Sequence, residues 1–246
     1  MFAAAGVFMI VAFSFGEFGF ADTQEPVVKT AKDAVFELPK AETIPASPHQ
    51  TLSAVPFVVQ APLGEWVNPV FQGACEETAA LMVNGWLRGI DAISPTEARE
   101  ELLKLGEFTQ TRYGHFYDLS AADTARLLVD YFGIETVELK YDITVKDIKA
   151  ALAEGAVTII HVNGQKLNNI HYTPPGPLDH AIVVFGYDAA TGDFIAHDPG
   201  TRFGENWRYP ESVLASALQD YPTGFNELNS LPRTAMVVIH PLDISR

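Results

Sequence analysis

The sequence predicts an α+β fold, because helix signals fill the first half of its folded region and strand signals the second. Three observations carry this. Helix-start patterns occur at Ser94, Ser120 and Thr144, a long apolar-striped helix precedes them, and residues 181–187 form a nearly continuous apolar run that turns back on itself.

The first helix is expected over residues 74–87. Cys75, Ala79, Met82, Val83 and Trp86 recur at helical spacing and form one stripe, with Cys75 at its N-terminal end. Ser94-Pro95-Thr96-Glu97 is a capping box with proline at the first helical position, and Gly106 is the expected C-cap. Ser120 with Asp123 opens a third helix that Gly133 closes, and Thr144 with Asp147 opens a fourth that Gly155 closes. Residues 55–59, 134–141 and 156–162 are β-prone. The apolar strand 181–187 meets a turn at 188–192 and returns as 193–197, after which a helix over 211–221 and a strand over 235–240 complete the domain.

Residues 1–22 are read as a signal peptide or membrane anchor: positions 2–15 are apolar or small apart from Ser14, and Gly19-Phe20-Ala21 has a small-x-small pattern. Residues 23–54, rich in Pro, Ala, Thr, Lys and Glu, read as a disordered linker, which leaves 55–246 as the folded domain. These segments point to an extracytoplasmic location, secreted or tethered to a membrane through the N-terminal segment.

Acidic residues outnumber basic ones 31 to 16, for a formal net charge of −15, which argues against a nucleic-acid partner. A single cysteine excludes an internal disulfide and any thiolate cluster. Neither zinc-protease spacing nor a calcium loop is present, so no metal and no cofactor is expected. A thiol at a helix N-terminus meets unpaired amides and the positive end of the dipole, the setting a nucleophile needs; Glu76 and Glu77 would oppose its ionisation if they faced it. His180 heads the apolar strand and Asp198 lies at the foot of the returning one. Pairing Asp188 with Asp193 puts Asp198 opposite Val183, so one bulge or a tighter turn is needed to bring it to His180. His197, its neighbour, points to the other strand face and is read as structural, while His161 and His171 carry no ligand spacing.

Cys75, the His180-Ala-Ile-Val-Val-Phe-Gly-Tyr-Asp188 run, Asp198-Pro199 and Val55-Pro56-Phe57-Val58-Val59-Gln60 together resemble the papain-like superfamily, in particular its bacteriocin-processing (double-glycine leader) peptidase-like branch. The resemblance spans residues 55–240. It implies a helical lobe carrying the cysteine, packed on a mostly antiparallel β lobe carrying His and Asp. It also implies a Cys75–His180–Asp198 triad that cleaves a peptide or amide bond through a thioester, with Gln60 as oxyanion donor. Two departures stand out: Glu76 replaces the usual glycine, which could crowd the cleft, and the Gln60–Cys75 gap is long, which makes Gln72 the alternative donor. The substrate implied is a peptide or protein. The competing reading is a catalytically silent domain binding a peptide or wall component in the same cleft, favoured by Glu76.

Overall fold

The computed structural model describes residues 55–224 and 233–242. The segments read as signal or anchor (1–22) and linker (23–54) lie outside the described residues, as do the last four positions. Among the described residues no helix is long and apolar enough to cross a membrane.

The chain forms α1 (Pro69–Gln72), α2 (Cys75–Leu87), α3 (Pro95–Tyr113) and α4 (Ala121–Asp130), then β1 (Val137–Tyr141), α5 (Val145–Ala153) and β2 (Val157–Asn163). A 3-10 turn (Gly164–Leu167) leads to β3 (Asp179–Asp188), β4 (Asp193–His197), β5 (Trp207–Pro210), α6 (Glu211–Ala217) and β6 (Ala235–Ile239). The six strands form one antiparallel sheet in the order β1-β6-β2-β3-β4-β5. This is the α+β class that the order of sequence signals implied, in the papain-like arrangement that the resemblance implied.

Strand alternation divides the core in two. Ile159, Ala181, Val183, Val237 and Ile239 face one cluster with Met82, Leu102, Leu105 and Leu128 of the helices. Ile160, Ile182, Val184, Met236 and Val238 face the other, closed by Ile148 of α5 and Leu214 of α6. Burying each such side chain stabilises the fold by roughly 1.5–3 kcal/mol before entropy is subtracted.

The caps at Ser94, Ser120 and Thr144 are formed, two of them as reciprocal capping boxes. Gly106 does not end α3, which runs on to Tyr113 and closes at Gly114 in the left-handed region (φ 83°). Gly106 is needed instead for close approach: a Cβ there would lie 2.9 Å from Val70 Cγ1 of α1. The last helix is also shorter than expected, ending at Ala217. Residues 55–59 join no strand. They are held by Gln60 N donating to Pro199 O (3.0 Å) and His197 Nε2 donating to Val55 O (2.8 Å).

The β3–β4 hairpin settles the register. Asp188 pairs with Asp193 as in the simplest ladder, but the register shifts between Val184 and Gly186, so that Val183 pairs with His197. Continuing past β4, Asp198 falls opposite Ile182 rather than Val183. Because side chains alternate, this one-residue slip moves Asp198 onto the face that His180 shares with Ile182.

Candidate active site

Cys75 is the first residue of α2 and is buried, 3% exposed. The preceding Gly73 lets Tyr117 pack closely, since a Cβ there would lie 2.4 Å from Tyr117 Cβ. The thiol donates to Glu76 Oε2 at 3.2 Å. Burial, then the charges of Glu76 and Asp118, push the thiol well above its ordinary range, and the Ala181 amide only partly offsets them. The resting sulfur is therefore a neutral thiol.

His180, the second residue of β3, is 1% exposed. Its Nε2 lies 2.9 Å from Asp198 Oδ1, and its Nδ1 has no hydrogen-bond partner among the described residues. Asp198 is fully buried and closely held. Oδ1 also accepts from Gly200 N (3.0 Å), while Oδ2 accepts from Asn169 Nδ2 (3.0 Å), Tyr172 OH (2.5 Å) and the Tyr209 hydroxyl. Burial opposes ionisation, but the His180 charge and the bonds from His180, Tyr172 and Tyr209 outweigh it, and the carboxyl is held below its usual range. An ionised Asp198 accepts from Nε2–H, which fixes the tautomer with its lone pair on Nδ1.

Cys75 and His180 line one cleft of about 230 Å³, with Gln60, Trp66, Gln72 and Tyr172. The amide of Gln60 is not free to serve as a donor. Its Nε2 donates to both Phe71 O and Gln72 O, each at 2.9 Å, because the short α1 leaves its last carbonyls without helical partners. Gln60 Oε1 is instead a buried atom without a hydrogen-bond partner among the described residues. Gln72 Nε2 spends one hydrogen on Trp66 O (2.9 Å) and keeps the other. As the side chains stand, the Gln60 amide clamps the turn that precedes Cys75.

Glu76 does not crowd the cleft. Its side chain is fully buried, with Oε1 accepting from the Tyr221 hydroxyl. Burial foremost, with Glu77 and Asp118 adding repulsion, raises its carboxyl well above the ordinary range. Glu77, also buried, is pushed up to about 8, chiefly by burial. At the cleft margin Asp118 is raised to about 6 by burial and by Asp179, with the His180 charge opposing.

His197, His161 and His171 do not line this cleft. His197 is buried between Val55 O and the Asn206 N–H, which donates to Nδ1 at 3.1 Å, and burial lowers it to about 4. His161 meets Thr124 Oγ1 at 3.1 Å and is likewise lowered to about 4, mainly by burial. His171 stacks beside Phe203 and Trp207. Sequence reasoning did not find Asn169, Tyr172 or Tyr209 as partners of Asp198. They come from a loop, a Pro-rich segment and an unpredicted strand, with no local pattern joining them.

A model of the Peptidase_C39 like family matches residues 52–223. No curated protein matches. Among solved structures, that of a candidate C39-like peptidase from Bacillus anthracis is similar at 16% identity, covering 76% of this chain and 96% of that one, with a TM-score of 0.48. The family match covers most of the chain and includes Cys75, His180 and Asp198. The chain belongs to the Peptidase_C39-like family and is a cysteine peptidase of papain-like fold.

Proposed function

We propose that the chain is an extracytoplasmic thiol hydrolase that cleaves a peptide or amide bond through Cys75, His180 and Asp198. The observation that supports this reading is the shared cleft, lined both by a thiol at a helix N-terminus and by an imidazole bonded to a buried, ionised carboxylate, although thiol and imidazole form no hydrogen bond with each other as the side chains stand. The extracytoplasmic location rests on the apolar run within residues 1–22 and the linker-like composition of 23–54.

Substrate entry turns the Sγ–H from Glu76 toward His180 Nδ1, which takes the proton. Asp198 stabilises the imidazolium. The thiolate attacks the carbonyl carbon, its π electrons move to oxygen, and the Cys75 backbone N–H with a glutamine side-chain amide receives the oxyanion. Collapse breaks the C–N bond as His180 returns its proton to the leaving amine. Water then attacks the thioester with His180 as base, releasing the acid and restoring the thiol. Glu76 acts before this sequence: while it accepts a hydrogen bond from the thiol, the resting enzyme keeps a neutral sulfur.

Alkylation by iodoacetamide with and without a His180→Ala change tests the proposal. Iodoacetamide is an amide small enough to enter the cleft as a substrate does, so Cys75 in the unsubstituted chain should react faster at neutral pH than in the variant. Equal, slow rates in both chains would instead support the silent peptide-binding domain, which the raised thiol and its Glu76 bond favour.

A further inference from the structure

A second hollow, of about 250 Å³, opens beside the cleft and shares Trp66, Thr173 and Gly200 with it. Its floor and outer wall are His171, Arg202 and Phe203, and Cys75 does not line it. Its volume is below the ~300–1,000 Å³ of drug-sized ligand sites, which suits one large side chain. The hollow is built on fixed supports. The Asp198–Gly204 loop is closed by Asp198 N to Gly204 O (3.0 Å), Gly204 N to Thr201 O (3.2 Å) and Phe203 N to Thr201 Oγ1 (3.3 Å). Trp66 is held through its carbonyl by Gln72, and the adjoining Glu65 pairs with Arg99.

Exposed apolar surface collects here: Phe203 is 51% exposed and Trp66 39%, and the His171 ring lies 4.6 Å from that of Phe203. Arg202 lies over the Phe203 ring, 4.9 Å from its centroid, and forms no ion pair among the described residues, whereas Arg208 pairs with Asp188 and Asp193. In a chain of net charge −15, an unpaired guanidinium beside an open apolar hollow is a place for a carboxylate. The other margin of the cleft carries the opposite sign, with Asp179 in its wall and Asp118 close by.

The position relative to His180 gives direction. Gly200 lies against the ring edge, where a Cβ would be 2.9 Å from His180 Cε1. The imidazole delivers its proton to the leaving amine, so the space beyond the ring, away from Cys75, belongs to the leaving half of the substrate. In a peptide that half runs toward the C-terminal carboxylate, which matches Arg202, while the amino end runs toward the acids. We infer that this hollow is the leaving-group subsite, taking a large apolar or aromatic residue with a carboxylate close behind it. The assignment rests on the Cys75–His180 reading.

Calorimetric binding to the Cys75→Ala chain tests it without turnover, using Phe-Ala with a free carboxylate, its amide, Ala-Ala, and Phe-Asp amide. Phe-Ala should bind about tenfold tighter than its amide and than Ala-Ala. Arg202→Gln should erase the first difference and Phe203→Ala the second; both side chains are exposed, so the fold should tolerate the changes. Phe-Asp amide binding as tightly as Phe-Ala makes a side-chain acid sufficient, and weak binding of the amide restricts the site to a chain terminus. Equal affinities across the four peptides, or preferences untouched by both changes, overturn the subsite. Rapid alkylation of Cys75 in the unsubstituted chain with no peptide preference removes the subsite alone. Slow alkylation with the preferences intact removes the catalytic reading and, with it, the leaving-group assignment.

Discussion

The two halves of the cleft are built on opposite electrostatic plans. On the sheet side, Asp198 is buried but receives His180, Asn169, Tyr172, Tyr209 and the Gly200 amide, and it remains ionised. On the helix side, Glu76, Glu77 and the Cys75 thiol are equally buried, with few donors and mutual repulsion, and all three are driven toward their protonated forms. Burial is the same; satisfaction is not. A buried carboxylate stays charged when hydrogen bonds replace its water, and takes up a proton when they do not. The sheet side is thus a fixed base, and the helix side a store of protons waiting to be drawn.

Removing either member of the proposed pair should break this contrast most severely. Cys75→Ala and His180→Ala should each reduce peptide turnover to background, and the double variant should lose little more, because groups acting as a unit are non-additive. Multiplying losses, measured on one peptide substrate at one pH, would show that the two residues act separately.

Asp198→Asn should come next. The amide keeps the shape but puts a donor among donors from Asn169, Tyr172 and Tyr209, and it favours the wrong imidazole tautomer. A loss of ~10³–10⁴ in kcat with a retained far-UV spectrum is expected, by analogy with triads of this logic. Tyr209→Phe should cost far less, since four donors to Asp198 remain.

The two glutamines sharpen the helix side. The oxyanion donor's loss should lower kcat by roughly 10²–10³. Gln72 has a hydrogen to spare, whereas Gln60 must release the Phe71 or Gln72 carbonyl to serve. A kcat effect in Gln72→Ala with a stability loss in Gln60→Ala assigns the donor to Gln72. A kcat effect confined to Gln60→Ala shows instead that its amide turns when substrate enters.

How much of this the sequence disclosed follows from the range of the interactions involved. Ser94, Ser120 and Thr144 could be read because each bonds a backbone amide two or three residues away. Gly106 was misread because its reason is Val70, thirty-six positions earlier on α1. Cys75 at a helix start and the order of His180 and Asp198 were visible. That a bulge or tighter turn must bring Asp198 to the face of His180 could be read, but its place between Val184 and Gly186 could not, since alternation marks faces without marking bulges. Glu76 could be seen beside the sulfur, but its burial against Tyr221 depends on a residue 145 positions away.

Glu77 offers the smallest and cleanest test, because it lies on the proton-rich side without touching the cleft. In the unfolded chain it ionises near the ordinary glutamate value of roughly 4.3. In the folded chain burial raises it to about 8. Between those values the unfolded chain has released a proton that the folded chain retains, so rising pH favours unfolding. Its contribution is intact below about pH 4.3 and is lost as pH climbs through 8. Glu77→Gln removes the titration while keeping an oxygen for the Thr109 hydroxyl, which lies 3.3 Å from Oε1. The variant should nearly match the parent at pH 4, and its advantage in melting temperature should widen by about 3 °C or more by pH 8, as ~1 kcal/mol or more gives in a chain of this length. Parallel melting curves for the two chains from pH 4 to 8 would mean that Glu77 is already ionised in the folded state. The helix side would then be charged like the sheet side, and the contrast between them would fail.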